Sequence, residues 1–130
     1  MSNGKEVLEK LVVDKEQMKK NLDQLVEKSL KVFRIEKEGG KIIFQKFGAL
    51  SDSDKICTVL IGKYFATELG LIKDNTLSVS QIAKEIGRPI TALSGPIKEL
   101  VKRGFVEWLP TRKYRIVYHR MDEILNLQFH

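Results

Sequence analysis

Hydrophobic and polar positions change their period several times along the chain, and each change predicts a new element. From Lys5 to Val32 a three-four alternation of positions that are apolar except at Lys15 and Ser29 predicts one long amphipathic helix. The two polar residues weaken the pattern but could fix its register. Two β-rich runs then flank Glu38-Gly39-Gly40 and predict a hairpin within residues 33–50. A helical pattern returns after Ser51, so the chain divides into an N-terminal helix, a hairpin and a mainly helical unit.

The N-terminal helix carries a heptad pattern of about four repeats. Its seam positions are Leu8, Leu11, Lys15, Met18, Leu22, Leu25, Ser29 and Val32. Such a seam predicts a homodimer through residues 1–32, with Leu8, Leu11, Met18, Leu22 and Leu25 as the dimerisation residues. Val12 and Val26 widen the stripe, which equally suits a helix that folds back on its own domain. Both interpretations stay open at this point.

Residues 51–130 begin with a predicted helix that Ser51 caps and Gly70 ends, with apolar positions from Ile56 to Leu69. Ser78–Gly87 predicts a shorter helix. The next helix follows Pro89 and places four residues on an apolar face: Leu93, Ile97, Leu100 and Val101. Gly104 precedes two strand-like runs around Pro110-Thr111-Arg112-Lys113, and a last helix is predicted over residues 119–129.

The stretch IAKEIGRPITALSGPIKELVKRGFVE resembles the winged helix-turn-helix of bacterial and archaeal transcription regulators. Members of that family carry a small residue in the first helix, here Ala83, and a Gly in the turn, here Gly87. They also carry a closing Leu-x-x-x-Gly-apolar-apolar, here Leu100 to Val106. The expected fold is therefore mainly α with small β-hairpins (α+β): a winged helix-turn-helix over residues 51–130 behind a coiled-coil-like N-terminal helix.

Composition limits the chain to one modest core, since it has 130 residues, of which 42% are hydrophobic and 31% charged. The first ten residues lack the apolar block of a signal peptide. The longest apolar run, Ile56 to Phe65, is interrupted by Lys63 and is too short to cross a bilayer. We therefore expect a soluble, cytoplasmic protein with no membrane partner.

The formal net charge of +6 is concentrated between Arg88 and Arg120. The basic residues of that segment are Arg88, Lys98, Lys102, Arg103, Arg112, Lys113, Arg115 and Arg120. Eight basic residues less Glu99 and Glu107 give +6, so the rest of the chain balances to zero. A charge run of this kind is often only a solvated face, but here it coincides with the segment that the resemblance assigns to DNA.

The resemblance implies that Thr91–Lys102 enters the major groove of double-stranded DNA. The predicted DNA-binding residues are Arg88, Thr91, Ser94, Gly95, Lys98, Lys102, Arg112, Lys113 and Arg115, with Ala92 on the same helix face. Family members often carry Arg, Gln or Asn on this face, and their absence here leaves few groups that read bases. A helix start near Ser94 makes Pro96 harmless, whereas an earlier start costs one hydrogen bond.

No pattern indicates catalysis, a metal or a cofactor. Cys57 is the single cysteine and lies in an apolar run, so it is expected to be a buried side chain. His119 and His130 lack partners at a ligand spacing. We expect no enzyme and weigh two functions: a homodimeric transcription regulator that binds DNA, and a winged-helix module whose basic face docks on an acidic protein surface.

Overall fold

The computed structural model describes residues 15–45 and 50–128, with side chains over residues 21–45 and 50–127. These residues form an α+β arrangement of five α-helices and two antiparallel hairpins, in agreement with the predicted class. The helices are α1 (Lys15–Ser29), α2 (Asp52–Glu68), α3 (Val79–Ile86), α4 (Ile90–Lys102) and α5 (Met121–Gln128). The strands are β1 (Phe33–Ile35), β2 (Ile42–Phe44), β3 (Val106–Trp108) and β4 (Tyr114–Ile116), and a 3-10 turn over Tyr118–Arg120 precedes α5.

Helix α2 lies at the centre of the core and contacts α3, α4, α5 and both hairpins. Its start at Ser51 is confirmed: the Asp54 amide donates to Ser51 Oγ at 3.1 Å, and the Ser51 amide donates to the Asp54 carboxylate at 3.4 Å. Cys57 is buried, as expected. Leu69 was expected to be the last apolar position of this helix, packing with the others. It is instead the C-cap of α2, and its side chain is 67% exposed.

Helices α3 and α4 follow in the predicted order, joined by a short link. Ser78 and Gln81 form a capping box at the start of α3, and Gly87 ends it in the left-handed conformation, with φ 69°. The Arg88 amide then donates to the Ala83 carbonyl at 3.1 Å. The buried side chains of the pair are Ile82, Ala83 and Ile86 on α3, and Leu93, Ile97 and Leu100 on α4.

The apolar face of α4 is narrower than predicted, because Val101 is 36% exposed. Helix α4 also begins at Ile90 rather than near Ser94, so Pro96 lies inside the helix. Since proline has no N–H, the Ala92 carbonyl loses the donor that would normally lie four residues later. The helix therefore starts early, and Pro96 costs it one hydrogen bond.

The β1–β2 hairpin pairs Phe33 with Phe44 and packs on α2, so the predicted hairpin is confirmed over its described part. A Cβ added to Gly62 of α2 would lie 2.3 Å from Ile42 Cδ1, which explains why this helix position carries glycine. The β3–β4 hairpin pairs Val106 with Ile116, and both side chains are buried. Residues 46–49 lie outside the described part.

Within the described residues, helix α1 packs against α5 through one side, which carries Leu25. Leu25, Ser29 and Val32 are buried, and the Ser29 hydroxyl donates to the Leu25 carbonyl at 2.7 Å. Leu25, a predicted dimerisation residue, thus belongs to the chain's own core, whereas Leu22 is exposed. Leu8 and Leu11 lie outside the described residues, as does the side chain of Met18.

Candidate nucleic-acid interface

The exposed face of α4 contains five α4 residues that were predicted to bind DNA, but not Ala92, which was expected on the same face. Leu93, Ile97 and Leu100 point into the core and fix the rotation of the helix. At 3.6 residues per turn, the opposite side then presents Thr91, Ser94, Gly95, Lys98 and Lys102, all of them exposed. Ala92 is half-buried and lies between the two faces. The outer face of α4 is therefore polar and basic, and it carries small side chains around Gly95.

Packing within the described part of the chain does not require glycine at position 95. A Cβ added there would meet nothing within 4 Å, and the backbone is not left-handed. Glycine in an exposed helix costs about 1 kcal/mol relative to alanine, and the adjacent Pro96 removes a helical donor. The middle of α4 is therefore intrinsically weak as a helix, and packing inside the chain does not explain why.

The tip of the β3–β4 hairpin holds an arginine in a conformation that usually carries glycine or asparagine. Arg112 has φ 63°. Its amide donates to the Leu109 carbonyl at 2.9 Å, and the Leu109 amide donates to the Lys113 carbonyl at 2.8 Å. Pro110 occupies the second position of this turn, which its fixed φ favours. The left-handed conformation costs a side-chain-bearing residue about 1–2 kcal/mol, so the arginine is kept here against a conformational penalty.

Three of the predicted DNA-binding residues form ion pairs. Arg115 and Glu107 face each other across the two strands, with 2.8 Å between Nε and Oε2. Arg88 Nε lies 3.3 Å from Asp52 Oδ1. Lys113 Nζ lies 3.8 Å from Asp74 Oδ2. Hydrogen bonds from Thr76, together with the Lys113 charge, lower the pKa of Asp74. This carboxylate therefore stays ionised and partly neutralises the charge of Lys113.

Lys98, Lys102 and Arg112 form no ion pair with any residue in the described part of the chain. Arg103 and Arg120 are engaged differently, because their guanidinium carbons lie 4.5 and 4.6 Å from the centroid of the buried Phe105 ring. Arg120 also donates to Glu123 at 2.7 Å and to the Arg103 carbonyl at 3.2 Å. The basic segment thus separates into cations held by the fold and cations that face solvent.

Sequence reasoning missed Trp108, which lies on β3 opposite Tyr114 and is 54% exposed. An exposed indole beside a basic hairpin tip offers a flat surface to a sugar or a base. The available signal was an aromatic residue directly before Leu-Pro in a basic run. It also missed Asp52 and Asp74 as partners of the basic residues, since both lie outside the segment whose charges were counted.

A second charged cluster lies beneath the β1–β2 turn, beside α3. Lys63 is buried; its ammonium lies 2.6 Å from Glu85 Oε1 and donates to the Gly40 carbonyl at 3.0 Å. Glu85 Oε2 is buried and has no hydrogen-bond partner among the described residues. A cavity of about 540 Å³ next to this pair is lined by Lys41 and Lys84. The pair ties the hairpin, α2 and α3 together.

Other kinds of site find no support in the described residues. They include no group of three or more His, Cys, Asp or Glu that could hold a metal ion. Burial raises the pKa of the Cys57 thiol to about 12, so the reactive thiolate is absent at neutral pH. Among the described helices, none is long and apolar enough to span a membrane. Comparisons with protein-family models, curated proteins and solved structures found no match for the chain.

Proposed function

We propose that this chain is a winged helix-turn-helix protein that binds double-stranded DNA as a homodimeric transcription regulator. Helix α4 enters the major groove with its exposed face, and the tip of the β3–β4 hairpin contacts the phosphate backbone. The resemblance in the sequence supplies this mode of binding. The geometry of the exposed cations supports it and narrows the set of residues.

The observation that carries the proposal is the pair Lys98 and Lys102 on the outer face of α4. Both are exposed and lack an ion-pair partner among the described residues, so their charges are available to phosphates. A cation that already neutralises a carboxylate must give up that contact before it releases a counterion from DNA. Lys98, Lys102 and Arg112 therefore contribute more to binding than Arg88, Lys113 and Arg115.

Gly95 fits this function, because the close approach of a groove wall or a phosphate requires the space that a side chain would fill. The hydroxyls of Thr91 and Ser94 are the other polar groups on this part of the face, and neither can make a bidentate contact to a base. Phosphate contacts and groove shape therefore dominate binding, and discrimination between sequences is modest.

The test is a titration of labelled duplex DNA at several salt concentrations, with the wild-type chain and the double variant Lys98→Ala/Lys102→Ala. If both lysines touch phosphates, the slope of log affinity against log salt flattens by roughly 2. The matched control is Lys31→Ala/Lys37→Ala, which removes two exposed lysines next to the other hairpin. The control should keep the wild-type slope.

A wild-type chain whose retention on duplex DNA is weak and equal to that of both variants contradicts the proposal. The protein-docking module then becomes the better explanation of the basic face. If instead the chain binds DNA as a dimer, two copies of α4 lie on one duplex, and the half-sites are spaced by about 34–36 Å, one helical turn. A footprint of two half-sites checks this spacing.

A further inference from the structure

An apolar groove of about 500 Å³ lies between α1, β1 and the end of α2. Phe33 and Phe65 line its buried part, and both are under a tenth exposed. Large exposed side chains surround it: Leu22 (39%), Val26 (39%), Leu30 (42%) and Leu69 (67%). Apolar side chains gathered round one concavity mark an interaction surface rather than scattered exposure.

Helix α1 supplies the edge of this groove through a second apolar stripe. Leu22, Val26 and the following Leu30 are spaced four residues apart, so they form one row along the helix. Leu25 is buried in the chain's own core, and Ser29, which is also buried, lines the groove as well. The apolar residues of α1 thus form two stripes. The stripe with Leu25 packs in the core, and the stripe with Leu22, Val26 and Leu30 borders the groove.

We propose that a second copy of this chain occupies the groove and forms a two-fold dimer. An isologous interface requires one patch to carry both the projecting and the receiving surface. This patch does so, since the row of Leu22, Val26 and Leu30 projects from α1 beside the depression that it helps to line. The row of one protomer packs into the depression of its partner, and the reciprocal contact forms by symmetry.

Charge complementarity also selects a second copy as the occupant. Arg34 and Glu68 both line the groove, and neither forms an ion pair with another described residue. Arg34 donates to the carbonyls of Leu30 and Phe33, which holds its guanidinium at the end of α1. In a two-fold dimer Arg34 of one protomer meets Glu68 of the other, and this pairing occurs twice.

This inference rests on the homodimer of the proposed function, and its test needs no DNA. Sedimentation velocity of the full chain at tens of micromolar should show a dimer. Val26→Asp places a carboxylate in the apolar contact twice and should lower the dimer association constant by on the order of 100-fold. Leu127→Asp is the matched control, because Leu127 is 45% exposed on α5 and does not line the groove, so this variant should leave the dimer intact.

Charge reversal tests the two-fold pairing itself. Arg34→Glu alone creates two carboxylate contacts and Glu68→Arg alone creates two contacts between arginines, so each should weaken its own dimer by about 10- to 100-fold. Mixing the two variants restores an opposite-charge contact at both sites. An equimolar mixture should therefore form a 1:1 heterodimer of near wild-type affinity, and circular dichroism of each variant checks that its fold is kept.

Three results overturn the inference. The first is a monomeric wild-type chain at these concentrations, which leaves the groove to another protein. The second is a dimer that Val26→Asp does not weaken, which places the dimer contact elsewhere and keeps the homodimer itself. The third is a mixture of the two charge variants that associates no better than either variant alone. The first result also removes the homodimer from the proposed function, whereas the second and third concern only the place of the contact. DNA binding itself is tested by the salt titration, whose outcome none of the three results decides.

Discussion

The two hairpins both reverse the chain through left-handed residues, but they place different side chains there. The β1–β2 turn uses Gly39 and Gly40, with φ 79° and 68°. The β3–β4 turn uses Arg112, with φ 63°. The first turn lies over a buried cation, Lys63, which binds the Gly40 carbonyl, whereas the second turn itself presents a cation to solvent.

The difference is that packing in the core determines the residue at the first turn, whereas no contact within the described fold determines the residue at the second. A Cβ on Gly40 would lie 2.9 Å from Ile72 Cγ2 and 3.3 Å from Ala66 Cβ, so the core itself demands glycine there. Nothing in the described fold demands arginine at the second tip. An arginine that strains the backbone without packing in the core fits the contact with DNA that is proposed for Arg112.

The largest expected effect comes from the cation beneath the first turn. Lys63→Met leaves the mostly buried Glu85 carboxylate without its partner and the Gly40 carbonyl without a donor. Breaking a buried ion pair from one side costs about 3–5 kcal/mol. We expect a loss of that size in the free energy of unfolding, measured by urea denaturation.

The double variant Lys63→Met/Glu85→Leu controls this experiment. It removes both charges together, and apolar replacement of a whole buried pair is often nearly neutral. Its stability should therefore lie well above that of Lys63→Met alone, although it carries one more substitution. Additive losses in the two single variants would show instead that the residues act independently.

The next effect is at the first turn itself. Gly40→Ala combines a left-handed backbone with the contact at 2.9 Å to Ile72, so we expect a loss of about 2–3 kcal/mol. Gly39→Ala is the matched control, because its φ is also positive but a Cβ there meets nothing within 4 Å. That variant should lose only about 1 kcal/mol. Equal losses at both positions would remove packing from the explanation.

At the second tip stability and binding should change in opposite directions. Arg112→Gly relieves the left-handed penalty and should raise the free energy of unfolding by about 0.5–1 kcal/mol. The same change removes one phosphate contact, so the slope of log DNA affinity against log salt should flatten by ~0.9. Arg112→Lys keeps the charge and the strain and should change neither quantity much. A gain in stability with an unchanged slope would assign the arginine to solubility alone.

Much of the local structure was predictable because its causes lie within a few residues. Ser51 and Ser78 bond to amides three residues away, and Gly87 ends α3 through its own φ. The exposure of Leu69 and Val101 was not predictable, since it depends on where the packed core ends. The heptad pattern likewise left two interpretations, because a coiled-coil seam and a core-facing stripe share nearly the same period.

The exposure of the α4 residues in the candidate site could be predicted from the sequence, but the ion pairs that neutralise some of its cations could not. Exposure of Lys98 and Lys102 follows from the apolar positions of α4, which the helical period identifies. The pairs Arg88–Asp52 and Lys113–Asp74 join residues far apart in sequence, so counting charges along the chain could not find them. The left-handed φ of Arg112 also depends on the turn that forms between the two strands. Tertiary contacts therefore decide which of the predicted cations remain available to a partner.

The smallest expected effect concerns Arg115, which forms an ion pair with Glu107 on the neighbouring strand of the second hairpin. Glu107→Gln removes the carboxylate that lies 2.8 Å from Arg115, while the amide keeps its size and one acceptor oxygen. Both side chains are more than a third exposed, so stability should change by less than ~1 kcal/mol. A released Arg115 adds at most one phosphate contact, which steepens the salt slope by up to ~0.9 and tightens DNA binding at low salt. Arg115→Ala in the same background should return the slope to its wild-type value. If Glu107→Gln leaves the slope unchanged, Arg115 lies outside the DNA contact, and the hairpin binds through its tip alone.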